Sequence, residues 1–269
     1  MALKIGLQMY SVRQHMAADP FKTFELAAKA GYKYFELANL NAYEDFGCGF
    51  YAPAKELRKH VENLGCEIIA AHIKPFDDTN VDRVLDYHAE LGTKYLMSKP
   101  NEGSRAQIEA VCDRYAFLAE KCRKFGIQHA LHAGYTPFVE EGVSLLDVVF
   151  ENTEPEDLKF EIDSYWAMRS GLDPKTLIQK YGNRIVAMHE KDLPSDFRGQ
   201  LNINDSFKPG ERMDLKDFFD YVSKDDFCEI GTGCMPIQEI IDAINQYTKA
   251  DFLFLEQDFT KKDEIESIR

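Results

Sequence analysis

Short apolar runs alternate with longer segments of helical period along this 269-residue chain, and no other feature restricts its fold as strongly. The runs are Lys4–Met9, Tyr34–Ala38, Glu67–Ile73, Tyr95–Ser98, Ile127–His132, Leu158–Asp163, Ile185–Glu190 and Phe252–Glu256. Helical spacing covers about Pro20–Ala30, Pro53–Leu64, Val81–Leu91, Arg105–Phe125, Ser144–Phe150 and Pro174–Tyr181. Asp19-Pro20 and Asp173-Pro174 each set a capping residue before a proline suited to the first helical position. Gly31, Gly65, Gly92, Gly126 and Gly182 stand where the helices should stop. The runs end near residues 8, 37, 73, 98, 132, 163, 190 and 256, so most intervals are 25 to 36 residues, the size of one strand–helix–strand repeat.

Eight strands in this alternation predict an α/β fold, a single-domain (β/α)8 TIM barrel. An open doubly wound sheet commonly uses fewer strands and a Gly-rich first turn, and no GxGxxG follows the first run here. The last interval, 66 residues, is about twice the others, which predicts an inserted loop or lid over 193–227 with a short helix at Asp214–Ser223. An eighth helix starting near Lys261 would be barely three turns long before Arg269.

Composition narrows the function. Hydrophobic residues make up 45% of the chain, enough for a large core, and no stretch approaches the roughly 20 apolar residues of a membrane span. The opening MALKIGLQMYSVR lacks the pattern of a signal peptide, so a soluble, cytoplasmic protein is expected, with no membrane partner. Six cysteines without a C-x-x-C pair read as free thiols in a reducing compartment. The net charge of −14 disfavours nucleic acid, because tracking a phosphate backbone requires a surplus of Lys and Arg.

Four runs of the second half end in side chains that bind divalent metals: IQHALH at His132, LKFEID at Asp163, IVAMHEKD at His189 and DFLFLEQD at Glu256. An ionisable group at the end of a buried strand is costly unless it faces a ligand, a partner or water. In a (β/α)8 barrel these four ends converge at one mouth, and two imidazoles with two carboxylates suit manganese, zinc, cobalt or magnesium. Tyr10 and Arg13 follow the first strand, Glu36 and His72 lie near the ends of the second and third, and Trp166 and Lys191 come just after Asp163 and His189. Each has a plain structural explanation taken singly: His189 or His72 as a hydrogen-bonded histidine, Glu36 or Lys191 as a paired or solvated charge, Trp166 and Tyr10 as packing residues. Their agreement in place is what favours a site.

The blocks IGLQMYSVRQHMAADP, AAKAGYKYFELA, AAHIKP, EIDSYWAMRSGLDP, HEKD, EIGTG and LFLEQD occur in an order that resembles the xylose isomerase-like sugar phosphate isomerase/epimerase family of metal-dependent TIM barrels. The resemblance covers nearly the whole chain. It implies metal ligands at the ends of strands five to eight: Asp163, His189 and Glu256 match the family's aspartate, histidine and glutamate. Strand five departs, placing His132 where many members have glutamate, and LHAG looks like a reduced form of the YHNH motif of one subgroup.

The expected chemistry is proton abstraction alpha to a carbonyl with a metal-stabilised enediolate, giving an isomerase or epimerase of a sugar, sugar acid, inositol or related polyol. Glu256 would move the proton, with Lys191 or His72 stabilising the developing oxyanion, and Tyr10, Arg13, Glu36 and Trp166 would bind substrate. Because His132 replaces one of two facing glutamates, a metal-dependent lyase or dehydratase, expelling a beta leaving group from a keto-sugar or keto-glycoside, stands as the alternative. An abasic-site endonuclease fits the acidic balance poorly, and a binding protein without turnover is a further option. A shortened last helix would also leave outer apolar surface for a second subunit, a homo-oligomer.

Overall fold

The computed structural model describes residues 3–99, 105–133, 139–140, 143–206 and 222–269. Eight parallel strands close into a barrel in chain order: β1 (Lys4–Gln8), β2 (Tyr34–Asn39), β3 (Glu67–Ile73), β4 (Tyr95–Ser98), β5 (Gln128–Ala133), β6 (Lys159–Asp163), β7 (Ile185–Glu190) and β8 (Phe252–Leu255). The ring closes through β1 and β8, from Lys4 beside Phe252 to Leu7 beside Leu255. This is the (β/α)8 architecture that the alternation predicts.

The outer layer is built from helices with one apolar stripe. In α3 (Ala54–Asn63) the buried positions are Ala54, Leu57 and Val61; in α4 (Val81–Leu91) they are Val81, Val84, Leu85, His88 and Leu91. These spacings of three and four put one face against the strands. With α1 (Arg13–Ala18) and α2 (Pro20–Lys29), they cover the first half of the barrel. The second half is covered by α5 (Arg105–Lys124), α6 (Leu145–Glu151), α7 (Ser164–Arg169), α8 (Pro174–Tyr181) and α9 (Ile237–Tyr247).

Inside, the N-terminal end is plugged by Phe252, Phe254, Ile69, Ala70, Met97, Ala130 and Ala187. Gly6 belongs to this packing: a Cβ there would lie 2.5 Å from the Phe254 ring and 2.8 Å from the Tyr34 carbonyl oxygen. Above that apolar floor the inward side chains become polar. Two irregularities of register govern which residues point inward. Between β2 and β3 the pairing steps from Phe35–Ile68 to Glu36–Ala70, leaving Ile69 as an extra residue. Between β6 and β7 it steps from Phe160–Ile185 to Glu161–Ala187, leaving Val186. Side chains alternate faces with period two, so each extra residue moves everything beyond it to the other face. His72 and His189 lie beyond these bulges, and both are turned into the barrel by them.

Several details differ from the sequence reading. The last helix, α10 (Glu264–Ser267), is a single turn, because Asp263 rather than a residue near Lys261 caps it through Oδ1. Ile265 and Ile268 are nevertheless buried against the first half of the barrel, so the short helix covers part of the surface expected to be open. Helix α9 was not anticipated; the long final interval holds a crossover helix as well as the insertion. A two-stranded antiparallel ribbon, Val139–Glu140 with Val143–Ser144, precedes α6. Residues 207–221 lie outside the described residues, and with them most of the helix expected at Asp214–Ser223. All six cysteines are free. Among the described residues no helix is long and apolar enough to cross a membrane.

Candidate active site at the barrel mouth

Strand ends β5 to β8 bring together the four side chains expected as ligands. One donor atom from each of His132, Asp163, His189 and Glu256 lies within 4.8 Å of the others, and all four residues are buried. His189 Nδ1 sits 2.8 Å from Glu256 Oε2 and 3.9 Å from Asp163 Oδ2, while His132 Nε2 is 3.7 Å from Asp163 Oδ2. Asp163 also caps α7, accepting the Trp166 N–H at 2.9 Å through Oδ1, which fixes its carboxylate plane. Neither ring nitrogen of His132 makes a hydrogen bond among the described residues, although the side chain is only 1% exposed. A buried imidazole without partners is costly unless something else binds it.

Lys191 is fully buried, with Nζ bound to Asp163 Oδ2 and Glu256 Oε2 and 4.0 Å from Asp258 Oδ2. It is not a solvated charge. Burial opposes the ammonium, but Asp163, Asp258 and Glu256 outweigh it and hold Lys191 well above its ordinary range. Conversely, burial works against the Glu256 carboxylate, and Lys191 and His189 overcome it, holding Glu256 well below the usual carboxylate value. Asp258 is pushed up to about 7 by burial, which Lys191 offsets only in part.

Deeper in the barrel lies a second polar layer. Glu36 receives Gln8 Nε2 at 2.8 Å, and its Oε2 lies 2.5 Å from His189 Nε2. His72 Nε2 is 2.7 Å from Glu161 Oε2, and His189 Nε2 is 3.4 Å from Glu161 Oε1. Burial, then repulsion by Glu161, raises Glu36 well above its ordinary value. Burial opposes charge on His189 as well, yet Glu161, Glu256 and Glu36 together hold it protonated well above the usual histidine range. His132 goes the other way: burial, His72 and Lys99 keep it neutral, the form that binds metal.

The remaining candidates divide. Trp166 is buried, its indole N–H reaching Asp258 Oδ2 at 3.1 Å beside Lys191. Tyr10 and Arg13 stack on one another, the guanidinium 4.2 Å from the ring centroid. Arg13 lines a cavity of about 160 Å³ with Ser11, Gln257, Phe259, Lys261 and Glu264, beside the cluster and sharing none of its residues. Glu161 is not among the sequence candidates, although its place two residues before Asp163 puts both on one strand face. Neither are Gln8, Asp258 and Glu190; burial pushes the Glu190 carboxyl up to about 8, and it accepts a hydrogen bond from Ser164 Oγ at 2.8 Å.

A family model described as xylose isomerase-like TIM barrel matches residues 24–267. The chain belongs to that family. Among solved structures it is similar to a sugar phosphate isomerase/epimerase from Parabacteroides distasonis ATCC 8503, with 21% identity, coverage of 100% of this chain and 92% of that one, and a TM-score of 0.77. An IOLI protein with a binding zinc atom shares 15% identity over 99% and 95% of the two chains, with a TM-score of 0.72. A family 2 AP endonuclease from Brucella melitensis shares 15% over 98% and 96%, with a TM-score of 0.69. No curated protein matches the chain. Since this one barrel family includes proteins named for different chemistries, fold alone does not assign a reaction.

Proposed function

We propose that this protein is a divalent-metal-dependent isomerase or epimerase of a sugar or related polyol derivative. The observation that carries the reading is the convergence of His132, Asp163, His189 and Glu256 at the strand ends, with both His132 nitrogens free of hydrogen bonds. The donor set fits a cation: two imidazoles, one of them held neutral, and two carboxylates, with one donor atom of each within 4.8 Å of the others. Manganese, zinc, cobalt and magnesium all suit it. When bound, the metal would supply Lewis-acid polarisation of a carbonyl and its neighbouring hydroxyl, which stabilises an enediolate.

The protein's own residues then divide the work. Glu256, kept ionised by Lys191 and His189, accepts the proton alpha to the carbonyl. Lys191, bound to Glu256 Oε2, shifts its hydrogen bond to the oxygen where negative charge develops, and its departure raises the proton affinity of Glu256. Trp166, hydrogen-bonded to Asp258 beside Lys191, would offer an apolar face to a sugar ring at the mouth. Arg13, in its adjoining cavity, is placed for a distal polar or anionic substituent.

The test is a panel of aldoses, ketoses and keto-glycosides incubated with protein loaded separately with each of the four metals, with products weighed by mass spectrometry. Products of unchanged mass support isomerisation or epimerisation. Loss of a leaving group assigns the lyase chemistry, and no turnover at any metal loading, with substrate still bound, makes the barrel a binding protein.

A further inference from the structure

In a chain with 46 acidic and 32 basic residues, a half-buried arginine without a carboxylate partner calls for an explanation. Arg13 is such a residue. Its guanidinium lies 4.2 Å from the centroid of the Tyr10 ring and 5.6 Å from that of Phe259, so two aromatic rings hold it in place. Among the described residues its one hydrogen bond runs from Nη1 to the Tyr10 carbonyl at 3.0 Å, and no carboxylate comes within ion-pairing distance. The acids that line the same cavity are engaged elsewhere. Glu264 Oε2 accepts the Gln14 and His15 N–H groups at 3.0 and 3.4 Å, and Asp263 Oδ2 lies 3.0 Å from His15 Nε2. Ser11 is buried here, and its Oγ accepts the Gln257 N–H at 2.9 Å, which leaves the hydroxyl proton to be donated.

One stretch of chain separates this cavity from the mouth. Glu256 and Asp258 face Lys191, while Gln257 and Phe259 line the cavity. A substrate whose reacting carbons lie over Glu256 therefore reaches Arg13 by crossing the short segment that follows β8.

We propose that this cavity takes a carboxylate of the substrate, which makes the protein specific for a sugar acid over a neutral sugar or a sugar phosphate; the inference rests on the isomerase or epimerase reading above. An arginine fork presents two parallel N–H donors to the two oxygens of a carboxylate. Ser11 adds a hydroxyl donor, and the aromatic rings on Arg13 reduce the freedom lost on binding. The charge suits a monoanion. Lys261 and Lys262 of the lining already pair with Asp225 and Glu229, so the cations left to a ligand are Arg13 and the exposed Lys224, with Glu264 on the same wall. A phosphate dianion would meet that carboxylate without the cradle of backbone N–H groups that phosphate sites supply.

Calorimetry on the full-length protein, as purified and after metal removal, compares gluconate, glucitol and glucitol 6-phosphate in buffer free of other carboxylates and phosphates. All three probes carry the same open polyol chain. Gluconate should bind about tenfold tighter or more than either of the others, in both states of the protein. Arg13→Gln should erase that preference, and Arg13→Lys, which keeps the charge without the fork, should restore a small part of it. The wild-type comparison stands even if a variant fails to fold, and so does a crystal structure of the gluconate complex, in which the carboxylate should lie against Arg13 and Ser11. Equal affinity for glucitol, tighter binding of glucitol 6-phosphate, a preference that survives Arg13→Gln, or no gluconate binding overturns the proposal. Its failure is separable from that of the reaction: preference for gluconate without turnover of any sugar keeps the carboxylate site and sinks the isomerase reading, while turnover of neutral sugars with no preference for the acid does the reverse.

Discussion

His189 and Glu36 meet with 2.5 Å between Nε2 and Oε2, although their strands β7 and β2 are separated in the barrel by β8 and β1. The other nitrogen of the same ring lies 2.8 Å from Glu256. One imidazole thus joins the interior carboxylates to the mouth. In metal-free protein, His189→Leu should lower unfolding stability by about 3–5 kcal/mol, the usual cost of stranding buried charges. Urea denaturation with chelator present checks this, and a loss under about 1 kcal/mol would show that the ring does not carry the pairing.

Lys191 and a metal ion compete for the same oxygens of Asp163 and Glu256. Lys191→Met should therefore leave metal affinity unchanged or tighter, while lowering kcat on an accepted substrate by about 10²–10⁴. Calorimetric metal titration and steady-state kinetics separate the two effects. Weaker metal binding in the variant would mean that Lys191 only orders the carboxylates.

The barrel architecture was legible because alternation with period 25 to 36 residues reports strand–helix repeats directly. The four side chains that meet at the mouth were legible as candidates because each ends an apolar run. Glu161 was not, since it sits inside the run LKFEID and an isolated charge there reads as an interruption. The inward turn of His72 could not be read at all: it depends on an extra residue at Ile69, and a bulge is a property of two paired strands, not of one. Helix α9 escaped for a local reason. It begins at Ile237 after Pro236, which supplies no side-chain cap, so the usual start signal is absent despite an apolar stripe at Ile240, Ala243 and Ile244.

Gly6 should tolerate no side chain, because the Phe254 ring and the Tyr34 carbonyl occupy the space of its Cβ. Gly6→Val is expected to cost about 1–3 kcal/mol by overpacking. Adding Phe254→Leu should recover part of that loss. Urea midpoints of the single and double variants test the coupling, and simple additivity would contradict it.

Acid should weaken the fold through two histidines remote from the mouth. Burial lowers His129 to about 4 and His88 to about 3; His129 Nε2 lies 2.9 Å from Ser98 Oγ and His88 Nδ1 3.0 Å from Thr93 Oγ1. The unfolded chain takes up protons near pH 6.5 while the folded rings resist, so their contribution is complete above that value and is lost as pH falls towards 4 and then 3. Each contributes at most about 1.4 kcal/mol per pH unit over its window. His88→Asn should flatten the decline in thermal stability between pH 6.5 and 4, and an unchanged slope would remove that ring from the account.

The central claim is that the mouth cluster removes a proton from carbon with the help of a bound cation. Its most direct test is the entry of solvent deuterium beside the carbonyl of an accepted substrate, followed by NMR in D₂O. Metal-loaded wild type should wash deuterium into that position. Chelated protein and Glu256→Gln should lose the exchange by about 10² or more. Turnover without carbon-bound deuterium in fully exchanged solvent, or exchange that survives both removal of metal and Glu256→Gln, would contradict the account.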